Sequence, residues 1–117
     1  LQTGLAMGAQ AVTATGNNDQ GDSAAISATG GSLVIVTAAN GNKGVRLPAL
    51  SDVPAGTFYL IFNDAGSALK IFPATGDQIH PESDNNEINI AAQGTLLCIS
   101  DSAGVLWASA EPAATGA

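Results

Sequence analysis

Thr57-Phe58-Tyr59-Leu60-Ile61-Phe62-Asn63, the turn Asp64-Ala65-Gly66-Ser67, and Ala68-Leu69-Lys70-Ile71-Phe72-Pro73 form the stretch on which the fold reading rests. Both apolar runs are short, rich in β-branched and aromatic residues, and bounded by turn formers, which is the pattern of strands rather than of a helix. Alternation along the first run sets Phe58, Leu60 and Phe62 against Tyr59 and Ile61, so both faces are apolar. Such a strand belongs in the centre of a sandwich, or one of its faces meets another subunit. Asn63-Asp64-Ala65-Gly66 carries residues that tolerate positive φ, and predicts an antiparallel hairpin between the two runs.

Outward from this pair the same grammar continues. Leu33–Val36, Val45–Leu47, Glu87–Ile90, Thr95–Ser100 and Val105–Ala108 read as further strands. Asn40-Gly41-Asn42-Lys43-Gly44 reads as a hairpin turn carrying one lysine, and Asp101-Ser102-Ala103-Gly104 predicts a second hairpin, joining Thr95–Ser100 to Val105–Ala108. Pro48, Pro54, Pro73 and Pro81 fall at the ends of apolar runs, where a missing ladder N–H does little harm. Six to eight short strands with turns every 8 to 12 residues predict an all-β chain, a small antiparallel β-sandwich or barrel. The β domain is expected over residues 33–110, with a C-terminal tail over 111–117. Residues 1–32 are low-complexity Ala, Gly, Thr, Ser, Asn and Gln, read as an extended N-terminal arm that cannot bury enough apolar surface to order itself. The Ala-rich piece Ala6–Ala14 has a helical option, weakened by its Thr and Gly.

Composition narrows function further. Of 117 residues, 22 are Ala, and Leu, Ile, Val and Phe number only 27. Charged residues are 11%, and three cations, Lys43, Arg46 and Lys70, face ten carboxylates for a net charge of −7. Three cations cannot build a basic patch, so no nucleic-acid partner is expected. No apolar run approaches the ~18 residues of a membrane span, so no membrane partner is expected either. Cys98 is the single cysteine and His80 the single histidine, which leaves no set for a disulfide or a zinc site. His80-Pro81 lies in a polar turn with no Gly-x-Ser-x-Gly elbow in the chain, so no enzyme, catalytic residue or cofactor is expected. The acidic loops Asn17–Asp22 and Asp77–Glu87 match no calcium-loop spacing and read as solvated turns without a metal. Trp107 and Cys98 read as core residues.

Three ordered pieces carry a resemblance: Lys43-Gly44-Val45-Arg46-Leu47-Pro48, then Tyr59-Leu60-Ile61-Phe62-Asn63, then Ala68-Leu69-Lys70-Ile71-Phe72-Pro73-Ala74-Thr75-Gly76-Asp77-Gln78-Ile79. This series resembles a small β-module of tailed-bacteriophage structural proteins, found in capsid decoration (cement) proteins, head fibres and tail-fibre segments. It spans about Asn42 to Trp107, and its most specific part is Ala68 to Ile79. Relatives commonly place Asn after that Ile, whereas this chain has His80-Pro81. The resemblance implies a virion structural role, often as a homotrimer. The expectation is a decoration protein on the outer capsid surface with the major capsid protein as its partner. Leu1, Leu5, Met7 and Val12, which the strand reading assigns to no core, are the expected capsid or subunit contacts. The alternative is a head- or tail-fibre module that binds a host-surface receptor or glycan, with Trp107 as the candidate sugar platform.

Overall fold

The computed structural model describes residues 8–101 and 106–110. Among these residues nine strands form: β1 (Ala9–Val12), β2 (Ala24–Ala25), β3 (Leu33–Val36), β4 (Gly44–Arg46), β5 (Phe58–Asn63), β6 (Leu69–Phe72), β7 (Ile88–Ile90), β8 (Thr95–Ser100) and β9 (Trp107–Ala110). They make a five-stranded sheet in the order β1-β3-β5-β8-β9 and a four-stranded sheet in the order β2-β4-β6-β7.

The chain is mostly β, but its sheets are mixed rather than antiparallel. β1, β3 and β5 pair in parallel, as do β2, β4 and β6. Consecutive strands therefore alternate between sheets, and each circuit of the chain lays one strand in each, as in a short solenoid. Only the last three strands, β7, β8 and β9, pair antiparallel.

The expected hairpin at Asn63-Asp64-Ala65-Gly66 is therefore a corner, since β5 and β6 lie in different sheets. Asn63 explains why. Its side chain is fully buried and satisfied, with Nδ2 donating to the carbonyls of Ser67 (2.7 Å) and Ala91 (3.1 Å) while Oδ1 accepts from the Ala65 N–H (3.2 Å). That knot steers the chain out of the sheet instead of back along it. Asn40–Gly44 is likewise a corner, between β3 and β4, in which Asn40 Oδ1 accepts the N–H groups of Asn42 (2.9 Å) and Lys43 (3.0 Å). The corners stack on one another through Asn18 N–H to Asn42 O (2.8 Å) and Gly41 N–H to Ala68 O (2.9 Å). The second predicted hairpin does form, as β8 and β9; residues 102–105 of its loop lie outside the described residues.

The two sheets share one core: Val34, Val36, Tyr59, Ile61, Leu96, Cys98 and Trp107 from the five-stranded sheet meet Val45, Leu69, Ile71 and Ile90 from the other. The boundary expected at residue 33 does not hold from residue 8 onward. β1 pairs with β3 and β2 with β4, Ala14 and Ile26 are buried, and Thr15 bridges Gly44. Ala9–Val12 is a strand, not a helix. A low-complexity segment can join because a parallel strand needs backbone partners first, and small residues let circuits approach closely. At Gly31, φ is +119° and a Cβ would fall 2.6 Å from the backbone of Gly8 and Ala9.

Two outcomes test this architecture. Asn63→Ala removes the side-chain partner of the Ser67 and Ala91 carbonyls and of the Ala65 N–H, leaves a hole at a fully buried position, and is expected to cost about 2–4 kcal/mol by chemical denaturation. Deleting residues 1–16 removes β1 and Ala14 and is expected to abolish cooperative unfolding, whereas deleting 1–7 leaves the thermal midpoint of the β domain within a few degrees.

Candidate functional site

The two sheets differ on their outer faces. Outside the four-stranded sheet the surface is polar and tied down. Arg46 Nη1 donates to the carbonyls of Gln20 (2.8 Å) and Ser23 (3.0 Å), holding the Gln20–Asp22 3₁₀ turn against β4. Lys70 Nζ donates to Asn89 Oδ1 (3.1 Å) and pairs with Glu87 (3.6 Å). Two of the three cations thus serve the fold itself.

Outside the five-stranded sheet the residues are apolar apart from Thr95. The registers bring Ala9, Leu33, Leu60, Leu97 and Ala110 into one row across all five strands. A second row holds Ala11, Ile35, Phe62 and Thr95, and a third holds Phe58, Ile99 and Ala108. None of these positions is charged, in a chain of net charge −7. Leu60 and Ile99, near the middle, are the large apolar side chains left most open among the described residues, at 39% each. The two-sided apolar pattern of Phe58–Phe62 is thereby explained: Tyr59 and Ile61 fill the core, β5 is the central strand, and Phe58, Leu60 and Phe62 form an open face. This apolar sheet face is the candidate contact surface among the described residues.

The other candidates fall elsewhere. Val12 packs against the core from the inner side of β1 and is no outward contact; Leu1, Leu5 and Met7 lie outside the described residues. Trp107 is fully buried, its ring 5.8 Å from that of Tyr59, so no sugar ring can stack on it. Its Nε1 has no partner among the described residues. A half-open cleft of about 320 Å³ is lined by Pro81, Glu82, Ile88, Leu96 and Ser109. Ser109 there donates its hydroxyl to the His80 carbonyl (2.6 Å), not to an imidazole. Two of the carboxylates singled out in the acidic loops hold backbone: Asp19 accepts the Gly21 N–H of its own turn (2.9 Å), and Asp77 accepts the N–H of Leu50, 27 residues away (2.8 Å). Among the described residues no group of three His, Cys, Asp or Glu stands close enough to hold a metal ion. No helix among them is long and apolar enough to cross a membrane.

No protein-family model matches the chain, and comparison with curated proteins and with solved structures finds none similar to it.

Burial pushes the Cys98 thiol up to about 12 and raises the Tyr59 hydroxyl as well. Both groups stay protonated in the folded chain where the unfolded chain has begun to lose protons, so stability is full below the ordinary thiol range and falls as pH rises from about 9 towards 12. Denaturant titrations across that window are expected to show the loss, and Cys98→Ala to lessen its slope. Cys98 in the native chain is expected to resist thiol reagents that label it within minutes in denaturant.

Proposed function

We propose that this chain is a non-enzymatic capsid decoration (cement) protein of a tailed bacteriophage, in which the two sheets form the layers of a small sandwich. The observation that carries the reading is the contrast between the outer faces: one polar and stitched by Arg46 and Lys70, the other a charge-free sheet of Leu, Ile, Phe and Ala. A β module with one face built for burial is suited to an assembly. The resemblance of Lys43–Pro48, Tyr59–Asn63 and Ala68–Ile79 to phage virion modules supplies the kind of assembly.

On this reading the protein works mechanically. Ligands that bind only the assembled lattice stabilise it, so many copies on the outer surface of the head raise its resistance to internal pressure and heat. The acidic remainder of the surface keeps the particle soluble and unattractive to polyanions. Leu1, Leu5 and Met7 are the residues proposed to grip the major capsid protein, and Val12 drops out because it packs inward.

Quantitative mass spectrometry of the purified particle tests this. A copy number of the same order as the major capsid protein is expected. A handful of copies would make the chain a fibre module, and its absence would discard the virion role. Deleting residues 1–7 is expected to abolish particle binding while circular dichroism stays that of the full chain.

A further inference from the structure

We propose that the cleft at the closing end of the winding is a binding site for a small primary ammonium compound with an apolar body. A site of this kind is independent of the decoration reading, which names no small ligand.

The cleft follows from the strand count. Five strands face four, and by strand order β7 is the counterpart of β8, which leaves β9 with no strand opposite it. The segment Gln78–His80 makes up part of the difference, since Ile79 is fully buried and bridges Trp107. Two residues further along β9 that cover ends. Ser109 shares the inner face of β9 with Trp107, and there it lines a cleft of about 320 Å³ together with Leu96, Ile88, Pro81 and Glu82. Leu96 belongs to the core and Ile88 packs against it, so the apolar wall of the cleft is the end of the core itself.

The polar groups of the cleft are fixed and of one kind. Glu82 donates its N–H to Ile79 O (2.7 Å) and its carbonyl accepts from Gln78 Nε2 (3.2 Å), which holds the residue in place. Its carboxylate makes no hydrogen bond or ion pair among the described residues. Ser109 gives its one hydroxyl hydrogen to His80 O (2.6 Å), so towards the cleft its oxygen can only accept. The lining side chains thus offer two acceptor groups, one of them charged, and no free donor.

That set selects its ligand. An anion meets both the Glu82 carboxylate and the field of a chain of net charge −7. A neutral apolar molecule shields the carboxylate from water and gives it no partner, which is costly. An ammonium head brings three donors and the opposite charge, while an apolar body covers Leu96, Ile88 and Pro81. Arg46 and Lys70 are engaged outside the four-stranded sheet, so neither neutralises Glu82 from within the chain. The cleft is at the small end of ligand sites, which sets the ligand at roughly ten non-hydrogen atoms.

Phenethylammonium is the probe, titrated into the full chain and followed by proton–nitrogen correlation NMR. Saturable shifts centred on the amides of Glu82, Ile88, Leu96 and Ser109 are expected, with a dissociation constant of about 1 mM or below, within reach of a ligand of this size. Glu82→Gln is expected to weaken binding about tenfold, and 2-phenylethanol and 3-phenylpropionate, the neutral and anionic arms, to bind about tenfold more weakly than the amine or worse. Asp84→Asn removes an exposed carboxylate two residues away and leaves binding unchanged. The dispersion of each variant's amide spectrum checks that it folds. Shifts scattered over the acidic surface, an amine affinity that survives Glu82→Gln, or an alcohol that binds as well as the amine would overturn the proposal. So would titration to about 20 mM without saturation. None of these outcomes alters the copy number on particles, so this site and the decoration reading stand or fall separately.

Discussion

The buried amide of Asn63 is the constraint on which the rest of the structure depends. β5 is the central strand of its sheet, flanked by a parallel neighbour and an antiparallel one, and it must end by leaving that sheet. Asn63 makes this possible by answering three backbone groups of the crossing chain at once, the carbonyls of Ser67 and Ala91 and the N–H of Ala65. Its own backbone is held as well, with its N–H on Gly94 O and its carbonyl on Gln93 N–H. A buried amide left without such partners would cost about 1–3 kcal/mol, so the side chain and the corner hold each other in place.

Fixing that corner fixes the register of everything stacked beside it. Leu33 lies opposite Leu60 and Ala9 opposite Leu33 because each circuit returns to the same height. A slip of one residue would turn Val34, Val36 and Ile61 outward and bring Leu33, Ile35 and Leu60 into the core. The apolar outer face is thus not a surplus of hydrophobic residues. It is a second, ordered set, held in rows by the register that organises the core.

The strands themselves were legible in the sequence, Leu33–Val36 and Thr95–Ser100 to the residue, because short β-branched runs between turn formers leave little choice. The connections were not. Asn, Asp and Gly permit positive φ at a hairpin and at a sheet-to-sheet corner alike, so local turn chemistry could not separate the two. No fixed period announced the winding either: paired residues of successive circuits lie 24 apart at Ala9 and Leu33 but 27 apart at Leu33 and Leu60, and 21 apart at Ala24 and Val45 but 26 apart at Gly44 and Lys70. The first circuit was hidden by its composition, since Ala9–Val12 and Ala24–Ala25 join through backbone bonds and bury little beyond Ala14 and Ile26. The contact face was half legible in the two-sided pattern of Phe58–Phe62. Its breadth was not, because it comes from five strands that the circuits bring together from residues 9 to 110.

A sheet with an open apolar face can associate across that face or along its edges, and the fold treats the two differently. At the β9 edge the segment Gln78–His80 runs alongside Trp107, which donates its N–H to Gln78 O (2.9 Å) and accepts from His80 N–H (2.8 Å). That contact occupies both ladder groups of Trp107 at the start of β9, and short edge strands such as the four-residue β1 discourage pairing at the other side. Pairing of one edge with the other edge of the next copy would be heterologous and open-ended, the route to filaments. The chain thus guards the edges of this sheet itself while its outer face is left apolar, and of the two ways in which a sheet associates the fold disfavours pairing along the edges.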